Sequence, residues 1–262
     1  MKQLLSQAKT RSKNLRNKLF RPQVPEGWKN IYGPPMPSAQ SVLDQTPLYR
    51  KQMLKILGQL SFDPYSDSVS DYHREGLQKF GPTWDFVDLP LLGLTAASIL
   101  QSQDYLEVGV RRGRSLACVF SGSSKVRMTC VDLWVENYAG ISNPGPEFVK
   151  SEIRRLGNPT QLKMLSGNSH DLFPKFSENA FDLVTVDGDH SDEGAMQDLV
   201  DAYRVLRPGG AILFDDIGHP LHPYLSKVWR TFAEKYAMDT AEYLSSGYGV
   251  AIGIKRFLIP NT

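Results

Sequence analysis

The residues best equipped for chemistry sit at the ends of short apolar runs. Val186 leads into Asp187-Gly188-Asp189-His190, and Phe214 leads into Asp215-Asp216. If these runs are neighbouring strands, their carboxylates meet in one crevice. Like charges at close range are costly, and a bound hard cation is one remedy. Oxygen ligands favour magnesium, manganese or calcium over zinc. The plainer alternatives are solvation in loops, helix capping by Asp192 or Asp216, and turn formation by Asp-Gly. His190 follows Asp187 by three residues. An imidazole near neutral pH can act as general base on a hydroxyl, or simply hydrogen-bond its loop.

A second constellation is Glu107-Val108-Gly109-Val110-Arg111-Arg112-Gly113-Arg114-Ser115. Gly109 would let the backbone approach a ligand, and Gly113 would open a helix. The dinucleotide fingerprint needs a glycine where Arg111 stands. A Cβ there would crowd a pyrophosphate, and Glu107 would repel one. Both features suit a ligand with a cationic amino-acid end and no phosphate, of which S-adenosylmethionine is an example. Asp132 lies about twenty residues on, where a carboxylate can accept two ribose hydroxyls. Ser166-Gly167-Asn168-Ser169 either contacts an adenine edge through Asn168 or caps the helix that follows.

These positions need a scaffold that gathers strand ends. Apolar runs at residues 105–108, 126–131, 161–165, 181–186 and 211–214 alternate with helical patterns at 88–100, 115–120, 146–156, 170–176, 193–206 and 224–236. Such alternation implies βαβ units and a doubly wound, mostly parallel sheet. Residues 241–244 and 250–255 flank Ser245-Ser246-Gly247 and read as a C-terminal hairpin with one antiparallel strand. The expected fold class is therefore α/β, Rossmann-like, with a helical N-terminal extension. The domain portion is placed at 86–258 and the extension at 1–85. The extension comprises a basic arm with Lys2, Lys9, Arg11, Lys13, Arg16 and Lys18, a Pro/Gly-rich linker at 22–37, and short helices at 47–60 and 68–80. The arm reads as a solvated or oligomer-facing segment, or as a contact for acidic lipid or RNA.

A formal charge of +2 over 262 residues argues against a dedicated nucleic-acid binder. No run is long enough to span a bilayer and no secretory signal is evident. Cys118 and Cys130 show no zinc or redox spacing, and a cytoplasmic chain with free thiols is the simpler expectation.

Asp187-Gly188-Asp189-His190-Ser191, Arg207-Pro208-Gly209-Gly210 and Phe214-Asp215-Asp216-Ile217 together resemble the metal-dependent class I O-methyltransferases. The branch that includes cephalosporin-biosynthesis and macrolide-sugar O-methyltransferases is nearest in flavour, and catechol O-methyltransferase is more distant. The resemblance covers about residues 100–255. It implies S-adenosylmethionine and a divalent metal, Mg2+ being expected, as cofactors. It implies metal ligands at Asp187, Asp215 and Asp216, Asp215 being the more variable position, and a base at His190. The cofactor positions fall on Glu107, Gly109, Gly113, Ser115, Asp132, Asn168 and Asp187. The implied reaction is methylation of a hydroxyl on a small molecule, a sugar or a phenol, with self-association through the extension. The alternatives are a nicotinamide-dependent oxidoreductase and a non-catalytic interaction protein on the same fold. Residues 133–147, with Trp134, Tyr138 and Pro144, have the length of a lid. The 218–224 segment with His219 and His222 could reach the acceptor or serve loop structure. Arg111-Arg112 could bind an acidic acceptor or face solvent.

Overall fold

Alternating apolar runs and amphipathic stretches resolve into a seven-stranded sheet in the order β3-β2-β1-β4-β5-β7-β6. The strands are β1 (Asp104–Val108), β2 (Arg127–Asp132), β3 (Gln161–Ser166), β4 (Phe181–Val186), β5 (Leu206–Asp215), β6 (Asp239–Tyr243) and β7 (Val250–Ile254). The first five pair in parallel, and β7 runs antiparallel to both β5 and β6. Strand order reverses at β1, which lies between β2 and β4. In such sheets the crevice beyond the carboxyl ends at this point is the usual ligand site. This computed structural model describes residues 37–137, 140 and 142–256. The basic arm and nearly all of the 22–37 linker lie outside the described residues, as does Tyr138.

Strand alternation builds two cores. Tyr105, Leu183 and Leu213 face one side, and Leu106, Val184 and Ile212 face the other. On the first side pack helices α1 (Ala39–Asp44), α2 (Thr46–Leu57), α4 (Leu89–Leu100), α5 (Arg114–Gly122) and α6 (Pro146–Leu156). Helix α4 is apolar on most sides and correspondingly buried, with Leu91, Leu92, Leu94, Ala96 and Ala97 sealed from solvent. On the second side lie the short α7 (Ser169–Leu172), α8 (Asp192–Val205) and α9 (Leu225–Lys235), whose Trp229 and Phe232 are fully buried. Ser191 caps α8, accepting from the Gly194 amide at 3.1 Å.

Helix α3 (Pro64–Phe80) starts four residues before the expected 68, because Asp63 caps it and Pro64 takes its first turn. Helix α1, not among the expected elements, and α2, expected in the extension, share the core of the sheet: Ala39, Val42 and Met53 are fully buried in it. Arg50 of α2 is buried too, donating to the carbonyls of Trp84 and Phe86. The chain from Pro37 onward groups as one unit. Among the described residues, no helix is long and apolar enough to cross a membrane.

Candidate active site

Parallel pairing brings the carboxyl ends of β1, β2 and β4 together. The Gly109 amide donates to the Val131 carbonyl and the Asp187 amide to the Val108 carbonyl, each at 2.9 Å. Gly109 has φ +81°, and a Cβ on it would overlap the Asp187 carbonyl oxygen. The expectation was a glycine that admits a ligand; here the neighbouring strand end already excludes any side chain. Gly113, at φ +72°, caps α5, and a Cβ there would meet Val149 Cγ1 at 2.7 Å.

Two expected cofactor residues bond each other. Glu107 is fully buried; its Oε1 accepts from Ser115 Oγ at 2.5 Å and its Oε2 from Tyr105 Oη at 2.7 Å. Burial pushes its carboxyl up to about 8. Asp132, the expected ribose acceptor, braces its own turn. Its Oδ2 takes the Val110 and Arg111 amides at 2.7 and 2.8 Å. Its Oδ1 takes the Trp134 amide at 2.5 Å and Asn143 Nδ2 at 3.2 Å. Of the two readings of Asn168, the structure contains the cap: its Oδ1 accepts the His170 amide at 2.9 Å.

Asp187, His190 and Asp216 converge, each offering a ligand atom within 4.8 Å of the others. His190 Nε2 lies 3.3 Å from Asp187 Oδ1 and 3.7 Å from Asp216 Oδ2. Contact with Asp187 raises the His190 pKa against the opposing effect of burial. Burial and the Asp187 charge push the Asp216 carboxyl up to about 7. Asp215, the neighbouring expected ligand, lies outside this trio. Burial, with Asp187 and Asp216 nearby, raises its pKa well above the carboxylate range. Asp189 serves the fold, accepting the Ser191 amide at 2.8 Å. The Tyr224 hydroxyl fixes the loop by donating to the His190 carbonyl at 2.7 Å. The His222 ring lies 5.2 Å from that of His190, and the His219 ring packs on Tyr248 at 4.1 Å.

Asp215 and Asp216 also line a cavity of about 290 Å³. Tyr65, Ser66 and Val69 of α3 form one wall, Phe86 and Leu89 another, and Tyr248 of the final hairpin a third. Sequence reasoning missed Tyr65 and this wall; the Asp63-Pro64 helix start was the available signal. Arg111 and Arg112 neither face solvent freely nor form an open anion site. Arg111 Nη2 bonds Asp63 Oδ2 at 2.6 Å and Ser66 Oγ at 2.9 Å, while Arg112 Nη2 donates to the Phe62 carbonyl at 3.2 Å.

The model of a family described as "Methyltransferase domain" matches residues 106–217, from β1 to just past Asp216. Residues 106–217 thus match a methyltransferase domain. A protein of Mycobacterium sp. (strain JLS) provisionally named an O-methyltransferase is 28% identical over 118 residues, 45% of this chain and 50% of that protein. The chain thus spans half the length of that curated relative. The mitochondrial 2-methoxy-6-polyprenyl-1,4-benzoquinol methylase of Xenopus laevis is 34% identical over 80 residues, 30% of this chain and 25% of that protein. Among solved structures, the O-methyltransferase TomG of Streptomyces achromogenes, in complex with SAM, superposes with a TM-score of 0.52. It is 19% identical, covering 76% of this chain and 92% of that one. At that identity the likeness is one of fold. The methyltransferase domain thus carries both strand-end acids of the converging trio.

Proposed function

We propose that this chain transfers a methyl group from S-adenosylmethionine to a hydroxyl of a small molecule with the help of a divalent cation. The observation that carries the reading is the convergence of Asp187, His190 and Asp216 beside the Gly109 turn of a methyltransferase domain. The cofactor contacts fall to Glu107, Gly109, Gly113, Ser115, Asp132, Asn168 and Asp187. Glu107 and Asp132 supply the carboxylates suited to the cationic amino-acid end and the ribose. S-adenosylmethionine supplies an electrophilic methyl on its sulfonium.

The donor set fits a hard cation. Asp187 and Asp216 face one another with Asp215 alongside, and burial opposes the charged form of Asp215 and Asp216. Oxygen donors of this kind suit Mg2+. Asp187, Asp216 and Asp215 would hold it, and a cation there stabilises negative charge on an acceptor oxygen. His190 receives the hydroxyl proton on its imidazole ring. Asp187 Oδ1, at 3.3 Å, stabilises the imidazolium that results. The cavity lined by Asp215 and Asp216 would receive the acceptor, with its hydroxyl turned past Asp216 toward His190.

The test is methyl transfer to a panel of sugar and phenol hydroxyls with EDTA, with magnesium restored, and in Asp187→Ala and His190→Ala. Loss in chelator and recovery with magnesium are expected, with both variants inactive. Full activity in chelator sinks the cation. Thermal stabilisation by NAD but not by S-adenosylhomocysteine sinks the cofactor reading.

A further inference from the structure

Arg111 stands where the nucleotide-binding turn favours glycine, and its backbone has φ +48°. A non-glycine residue in the left-handed region is strained. Strain of this kind persists where the side chain is held by something else. Here the side chain leaves the turn altogether. Its Nη2 reaches Asp63 Oδ2 at 2.6 Å and Ser66 Oγ at 2.9 Å, and its guanidinium lies 5.3 Å from the centre of the Tyr65 ring. Meanwhile its amide is held by Asp132.

The opposite end is equally fixed. Asp63 has a side chain 5% exposed and caps α3 through the Ser66 amide at 3.2 Å. The next turn of that helix carries the residues that wall the cavity. Arg114 grips the same segment, donating to the Ser61 carbonyl at 2.9 Å and lying 3.5 Å from Asp67.

We propose that Arg111 and Asp63 are positioning residues whose ion pair ties the cofactor turn to the helix that walls the acceptor cavity. The two half-sites are then built as one unit, and occupancy of the turn is felt at α3. The proposal rests on the reading that the turn binds S-adenosylmethionine.

The probe is S-adenosylhomocysteine and the readouts are its affinity by calorimetry and hydrogen exchange across residues 64–80. In the wild type, binding slows exchange in this helix. Asp63→Asn keeps an oxygen to cap α3 but loses the charge that pairs with Arg111. Arg111→Gly removes the guanidinium and relaxes the backbone, so it is the second, independent break. Both variants are expected to lose the ligand-induced protection of 64–80. Asp63→Asn is expected to bind S-adenosylhomocysteine within about threefold of wild type. Arg111→Lys, which retains the charge, restores part of the protection. If wild type does not bind S-adenosylhomocysteine, the cofactor reading fails and the tie falls with it. If wild type binds but 64–80 is unaffected, or both breaks keep the protection, the tie alone is overturned.

Discussion

The α-carbon of Gly109 sits so close to the Asp187 carbonyl oxygen that no side chain fits between them. The first glycine of the cofactor turn and the first acid of the proposed metal site are thereby fixed to each other by backbone packing. Gly109→Ala must either break that contact or push β4 away, and it must also hold φ +81°. Left-handed strain and overpacking together make a loss of about 2–5 kcal/mol the expected cost. Urea denaturation measures it, and a change below about 1 kcal/mol contradicts the packing argument.

Removing the imidazole at His190 tests the base. His190→Gln is expected to lower methyl transfer by about 10²–10⁴-fold while leaving S-adenosylhomocysteine affinity unchanged. Asp187 raises the His190 pKa, so in metal-free protein its NMR titration midpoint lies above the ordinary histidine value. Asp187→Asn should bring that midpoint down. By linkage, the stabilising pair is intact at low pH and is lost as pH rises through the raised folded value.

Glu107 acts in the same direction for a different reason. Its folded pKa is about 8 against an ordinary 4.5. Between those values the native state keeps a proton that the unfolded chain releases. Stability therefore falls as pH rises from about 4.5 to 8, and is flat above. Glu107→Gln should flatten that slope in denaturation curves taken from pH 5 to 8. A ligand ammonium near this carboxyl favours its ionised form, so S-adenosylhomocysteine binding at pH 7 should release a proton. Calorimetry in buffers of different ionisation enthalpy reads that release; observed heats that do not change with the buffer count against Glu107 as the partner.

Asp216 separates stability from metal binding. Its carboxyl is raised to about 7 from 3.8 by burial and Asp187, so its ionisation costs stability across that window as pH rises. Without added metal at pH 8, Asp216→Asn should melt above wild type. With millimolar Mg2+ the order should reverse, because ligand binding stabilises by RT ln(1 + [L]/Kd) and the variant has lost a ligand. An equal magnesium shift in both proteins removes Asp216 from the proposed site.

The strand–helix plan, the C-terminal hairpin and the carboxyl-end location of Asp187, Asp215 and Asp216 were legible because they depend on local patterns. Period-two apolar runs make strands, and a residue following such a run lies at its end wherever the strand sits in the sheet. The glycine positions were legible as turns for the same reason, since a left-handed φ is a property of one residue. The start of α3 was misplaced because Ser68 looks as good a beginning as Pro64 until the Asp63 cap is seen.

Residue types and spacing by themselves determined which groups could take protons, ligate a hard cation or shape a phosphate-free cofactor turn. They could not determine partners. Whether Asp132 meets a ribose or its own turn amides depends on where the Val110 and Arg111 amides point. Whether Asp215 joins Asp187 depends on side-chain direction at a strand end. Arg111 and Asp63 are forty-eight residues apart, and only the packing of α3 against the turn brings them to 2.6 Å. Hydrogen bonds and ion pairs act over a few ångströms, so their partners are chosen by tertiary packing, whereas the chemistry each side chain brings is written in its identity.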